Sequence, residues 1–159
     1  MKYRHLSKGF TLIELLVVIA IIGVLSSVVL SALNRARGKG VDTAIVSNLS
    51  NARAQASLFY EDNGLSYNTV CTNVTTPGGV KSIYTSVQEA ALAAGLTGFS
   101  VDLAAGGSTG VAVCNDGASG WIAQVQLKSL NTSFFCVDNT GAAVTSTYSR
   151  VSNAVDYTC

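Results

Sequence analysis

From Phe10 to Leu33 the chain is apolar at almost every position, and Glu14 is the one charged side chain in that stretch. Leu15 to Leu33 carries no charge, and its only hydroxyls are Ser26, Ser27 and Ser31. As a helix rising about 1.5 Å per residue, that segment reaches roughly 28 Å, close to the ~30 Å hydrocarbon core of a bilayer. A secretory signal peptide has a shorter apolar region that ends in a small-residue cleavage site. Ala20 with Ser26 or Ser27 imitates such a site, but the run continues through Val28, Val29 and Leu30. The pattern predicts a membrane-crossing helix. A second helical pattern follows, in which Val41, Ala44, Ile45, Leu49, Ala52, Ala56 and Phe59 recur at spacings of three and four and mark one buried stripe. Gly64 stands where a left-handed C-terminal cap is expected. Between the two patterns lies Gly38-Lys39-Gly40, and each mid-helix glycine costs up to about 1 kcal/mol relative to alanine. A bend or a melted turn is expected there.

Past Gly64 the period changes. A loop through Cys71 and Thr75-Thr76-Pro77-Gly78-Gly79 leads to a short helix near Val87–Ala94, with Ser86 and Glu89 at capping-box spacing and Gly95 ending the element. Strand-like segments then alternate with turn signals: Ser100–Ala104, Val111–Cys114, Trp121–Leu127 and Phe134–Val137. The tail from Thr145 to Cys159 reads as irregular. The fold class expected is α+β: a long N-terminal helix, transmembrane in its first half and amphipathic in its second, packed on a small antiparallel sheet.

Composition narrows the chemistry. The single histidine, His5, precedes the apolar run, so the body has none for acid–base work or metal binding. Its acids are scattered, and the one adjacent pair, Glu61-Asp62, sits at a predicted helix end where a solvated face is expected. Gly106-Gly107-Ser108-Thr109-Gly110 resembles a phosphate loop only superficially, having neither the lysine nor the strand–loop–helix setting. No enzyme, metal or cofactor is expected. The chain has ten cations and nine anions. Without Lys2, Arg4 and Lys8, seven cations face the nine anions, which predicts no nucleic-acid binding. Arg35, Arg37 and Lys39 form a small basic knot suited to a headgroup surface or to partner acids.

The flanks of the apolar run are basic on both sides, so the positive-inside rule does not orient it. All four cysteines lie beyond the run, without CxxC or Cys/His pairing. That distribution suggests disulfides, hence an oxidising compartment for the body and a cytoplasmic N-terminus. Asn48, Asn73 and Asn131 open Asn-x-Ser/Thr triplets that a chain so rich in these residues produces by chance.

Glu14 is the anomaly. Insertion scales put a charged side chain such as Asp at roughly 2.5–3.5 kcal/mol at a helix centre, and such groups usually have a partner. The stretch Lys8-Gly9-Phe10-Thr11-Leu12-Ile13-Glu14-Leu15-Leu16-Val17-Val18-Ile19-Ala20-Ile21-Ile22-Gly23-Val24-Leu25 strongly resembles the N-terminus of type IV pilins and type II secretion pseudopilins. The resemblance implies cleavage between Gly9 and Phe10 by a prepilin peptidase and N-methylation of Phe10. It also implies that Glu14 pairs with the terminal ammonium of a neighbouring subunit during assembly. The family's frequent helix-breaking proline is absent, Ser31 standing in its place.

On this reading residues 1–9 are a leader and 10–34 a transmembrane and assembly helix. Residues 35–64 continue that helix in amphipathic form, and 65–159 form a head with an αβ loop, a sheet and a disulfide-bonded C-terminal region. Four cysteines allow three pairings. Chain order and the expected meander favour Cys71–Cys114 with Cys136–Cys159, and pilins commonly tie the tail with a C-terminal pair. The resemblance implies a structural subunit of an extracytoplasmic filament whose partners are further copies of itself, the prepilin peptidase, the assembly machinery and, before assembly, the cytoplasmic membrane (N-in, C-out). A pseudopilin or minor pilin of a secretion or competence system shares every feature of this N-terminus. A membrane-anchored receptor that never polymerises is the more distant alternative.

Overall fold

The computed structural model describes residues 9–101, 109–151 and 157–159. Its first element, α1, runs Leu12–Asp62. The chain divides into two compact units, the first ending at Arg37 and the second starting at Gly38.

In the first unit α1 has no core to bury. The fifteen large apolar side chains from Leu12 to Leu33 stand 46–87% exposed. By length and composition this helix is able to cross a membrane.

In the second unit α1 buries Ile45, Leu49, Ala52, Ala56 and Phe59, a stripe with alternating steps of four and three. Val41 is half-buried and Ala44 exposed, so the stripe is narrower than the sequence pattern suggests. The melted turn that Gly38-Lys39-Gly40 suggests does not occur: all three residues are helical. Gly38 has a packing reason to be glycine, since a Cβ there would lie 3.3 Å from Ser129 Cβ; Gly40 has no neighbour within 4 Å. The helix stops as the sequence suggests. Gly64 takes φ +67°, and Leu65 N–H donates to Tyr60 O at 3.0 Å, closing the last turn.

The second helix, α2, spans Tyr84–Ala94 and ends on Gly95 at φ +76°, whose left-handed turn lets Leu96 N–H reach Ala91 O at 3.0 Å. Its start differs from the expectation. The N-cap is Ile83, with no side-chain cap bond, so Ser86 and Glu89 lie inside the helix and form no capping box. Burial decides this: Ile83 is wholly enclosed and its N–H donates to Val70 O, which anchors the first turn by packing.

Five strands follow: β1 Gly98–Val101, β2 Val111–Asp116, β3 Trp121–Gln126, β4 Phe134–Asp138 and β5 Ala143–Ser146. The sheet order is β1-β2-β3-β4-β5. Strands β2, β3 and β4 form the small antiparallel sheet at the segments the turn signals mark; β5, which they do not mark, extends it antiparallel to β4, and β1 adds to the other edge parallel to β2. The proposed strand end at Ala104 and most of the 106–110 glycine segment fall outside the described residues.

The stripe of α1 and the inner face of α2, including Val87, Ala90 and Ala94, share one core with Ala112, Cys114, Trp121, Ala123, Val125 and Val137. The opposite face carries Val113, Ile122 and Cys136 under Val151. Covered on both faces, β3 and β4 are buried almost continuously rather than alternately. The tail is thus more ordered than the sequence suggests. It contributes β5, and then Arg150 N–H donates to Gln124 Oε1 at 2.7 Å while Gln124 Nε2 donates to Ser149 Oγ at 2.9 Å. These bonds satisfy a fully buried Gln124 amide in the sheet.

Candidate functional site

The candidate site lies at the start of α1. Gly9 and Phe10 are exposed and precede the helix, so the peptide between them is accessible in non-helical chain. Phe10 is 84% exposed. Thr11 is the N-cap residue and Glu14 stands at the third helical position.

Thr11 and Glu14 form a reciprocal pair. Glu14 N–H donates to Thr11 Oγ1 at 3.3 Å, and Thr11 N–H donates back to Glu14 Oε2 at 2.9 Å. The Thr11 hydroxyl also donates to Oε2, at 2.7 Å. This is a capping box, which satisfies amides that the first helical turn leaves without partners. The carboxylate also faces the positive end of the helix dipole. Both contributions come from within the chain, and all three bonds leave Oε1 without a partner among the described residues. The signature Thr-x-x-Glu, Thr11 to Glu14, stands in the sequence at the capping-box spacing.

The acids of the second unit hold loops. Asp42 of α1 accepts Lys128 N–H at 2.6 Å, Ser129 N–H at 3.2 Å and the Ser129 hydroxyl, fixing the β3–β4 turn to the helix. Asp62, at the end of α1, accepts Gly78 N–H at 2.8 Å and the Thr76 hydroxyl. Asp116 accepts Thr69 N–H and Cys71 N–H, at 3.2 and 2.6 Å. Asp138 accepts Thr140 N–H and Ala142 N–H on Oδ1 and Cys159 N–H on Oδ2. Four separated carboxylates therefore serve as backbone anchors. Among the described residues no group of His, Cys, Asp or Glu is placed to hold a metal ion. These anchors were not visible in the sequence, because each joins residues 14 to 87 positions apart or caps a turn whose path the tertiary fold sets.

Two disulfides close the same loops. Cys71 pairs with Cys114, tying the segment before α2 to β2, and Cys136 pairs with Cys159, tying β4 to the tail. Arg35 donates to Ser31 Oγ at 3.1 Å along its own helix face.

Comparison with known proteins adds three findings. The prokaryotic N-terminal methylation motif matches residues 4–30. Over 57 residues, 36% of this chain, the sequence is 44% identical to the type IV wide pilus major component PilA4 of Thermus thermophilus. That match covers 44% of PilA4, so the chain spans less than half the length of this relative. No solved structure matches the chain significantly.

Proposed function

We propose that this chain, a type IV pilin-family protein by its N-terminal segment, is a filament subunit that becomes competent to assemble when it is cut between Gly9 and Phe10. The observation that carries the reading is a carboxylate, Glu14, held by Thr11 at the start of a helix whose apolar side chains from Leu12 to Leu33 lack cover.

Hydrolysis of the Gly9–Phe10 bond removes Lys2, Arg4 and Lys8 and leaves an ammonium on Phe10, the residue that is then methylated. The new cation sits near membrane depth, where it is costly without a counter-ion. Glu14 Oε1 offers that counter-ion. Thr11 holds Oε2, so the carboxylate is oriented before a partner arrives, and the partner's ammonium meets a fixed acceptor. Deleting one member of a buried ion pair typically costs about 3–5 kcal/mol. Before cleavage no terminal cation exists at that depth, and the leader's charges keep the end of the chain at the cytoplasmic surface.

The helix supplies the attraction and the ion pair supplies the register. Full burial of a Val, Leu or Ile side chain contributes about 1.5–3 kcal/mol, so fifteen exposed ones represent tens of kcal/mol of gross association drive. In the bilayer lipid covers them; outside it, only other helices of the same kind do. A heterologous contact repeated without closure builds a helical fibre. The two disulfides favour an oxidising space for the body, outside the cytoplasm. PilA4 is a major pilus component, which favours the bulk subunit over a minor or secretion-linked one.

The test is Glu14→Ala expressed in a cell that makes its own filaments. The variant should be processed, stable and membrane-resident yet absent from sheared fibres, and the wild-type chain recovered from fibres should begin at monomethylated Phe10 by mass spectrometry. Fibres built of Glu14→Ala subunits at wild-type yield, or of chains that retain Met1, would refute the reading.

A further inference from the structure

The second unit contains a cleft of about 360 Å³ between α1 and the turn from β4 to β5, lined by Ser50, Arg53, Tyr67, Asp138, Asn139 and Gly141. Two of its side-chain acceptors, Asp138 and Asn139, are bound to neighbouring main chain. Asp138 Oδ1 accepts from the Thr140 amide and hydroxyl at 2.8 and 2.7 Å and from Ala142 N–H at 3.1 Å, and Oδ2 accepts Cys159 N–H at 2.7 Å. Asn139 Oδ1 accepts Trp121 N–H at 3.3 Å. The guanidinium of Arg53, half-buried against Gly141, makes no hydrogen bond or ion pair with any described residue. A guanidinium partly removed from water and without an acceptor of its own calls for a carboxylate, which it binds bidentately.

The chain offers few such carboxylates. Asp42, Asp62, Asp116 and Asp138 are all bound to their own backbone. Among the described residues of this unit, the acids that are exposed and make no hydrogen bond or ion pair are Glu61 and Glu89. Glu61 lies on α1 itself, eight residues beyond Arg53. Eight residues are about 12 Å along a helix and about 80° around it. Two copies with parallel helices, offset by that rise, bring Glu61 of one level with Arg53 of the other. Because the two groups face different directions, each copy donates to one neighbour and accepts from another, an open heterologous contact that repeats. Glu89, on α2, has no such relation to Arg53.

We infer that the Arg53 cleft is the socket that receives Glu61 of a second copy. The inference rests on the filament reading and names a contact in the head, separate from the one at Glu14. It is tested by charge reversal in the full chain, with sheared-fibre yield as the readout: Arg53→Glu, Glu61→Arg, the double reversal, and Arg53→Glu with Glu89→Arg. Each single change should lower yield at least tenfold, and the double reversal should restore it to within about threefold of wild type. Restoration itself rules out misfolding as the cause, and detergent-solubilised Arg53→Glu should melt with the wild-type chain. The pairing is overturned if Arg53→Glu assembles normally, if the double reversal does no better than the singles, or if Glu89→Arg rescues instead. A wild-type chain that forms no fibres would defeat the filament reading and this inference with it; normal wild-type fibres with an indifferent Arg53→Glu would defeat this inference alone.

Discussion

Gly40→Ala and Gly38→Ala should change stability in opposite directions, although the two residues are two apart in one helix. Both positions are helical in the structure. Alanine is more favourable than glycine in a helix interior by about 0.8–1.0 kcal/mol. At Gly40 a Cβ meets nothing within 4 Å, so the whole gain should appear. At Gly38 a Cβ would stand 3.3 Å from Ser129 Cβ and 3.5 Å from its Cα. Ser129 cannot retreat freely, because its N–H and hydroxyl, with the Lys128 N–H, are held by Asp42. Overpacking of that kind costs about 1–3 kcal/mol, which cancels or outweighs the propensity gain. Gly40→Ala should therefore raise the melting temperature by about 2–4 °C, the shift that ~1 kcal/mol makes in a chain of this size. Gly38→Ala should leave it unchanged or lower it by several degrees, since the net loss reaches about 2 kcal/mol. Trp121 is the single tryptophan and only 1% exposed, so its emission reports unfolding of the head directly. A Gly40→Ala variant that melts below wild type, or equal shifts at the two positions, would refute a continuous helix docked on the β3–β4 turn.

Three further outcomes follow from the same contacts. Asp138→Ala removes the acceptor for four donors at a site only 2% exposed and should cost about 3–5 kcal/mol in denaturant titration; Asp138→Asn, which keeps the Oδ1 bonds, should cost less. Replacing Cys136 and Cys159 together with serine should lower stability by about 3 kcal/mol, as expected for releasing a loop with sequence separation 23, and protease should then cut the tail beyond β5 first. The Tyr67 phenol titrates above its ordinary value, chiefly because it is partly removed from water and further because Tyr60 and Glu61 oppose its ionisation. A raised folded-state pKa means that its contribution is complete below the unfolded value near 10 and falls away as pH climbs through the folded one. Ultraviolet titration of wild type against Tyr67→Phe should show the missing phenolate step above pH 10, and a missing step at or below pH 10 would contradict the geometry.

Much of this protein was legible in the order of its residues. The membrane-length run, the stripe from Ile45 to Phe59, the stops at Gly64 and Gly95 and the strands β2 to β4 are local or periodic signals. They depend on helix rise, glycine's tolerance of positive φ and turn chemistry, all of which act over a few residues. The Lys8–Leu25 stretch is likewise a local motif, and it lies within the segment matched by the N-terminal methylation motif. Where the sequence misled, a distant contact was the cause. Gly38 and Gly40 look like a hinge until Ser129 supplies a reason for one of them, and Ser86 and Glu89 look like a cap until buried Ile83 starts the helix earlier.

What the tertiary structure alone decided is where the charges go. Asp42, Asp62, Asp116 and Asp138 are ordinary in sequence, yet each became a backbone anchor because folding brought unpaired amides of a remote or turning segment to its oxygens. The same accounting left Arg53 without a hydrogen bond to any described residue, while Asp138 and Asn139 beside it hold main-chain amides. Periodicity tells which face of an element is buried; it carries no information about which partner closes a hydrogen bond between remote parts of the chain. That choice belongs to the packed chain, where a donor without an acceptor costs about 1–3 kcal/mol and the loops settle where that cost is removed.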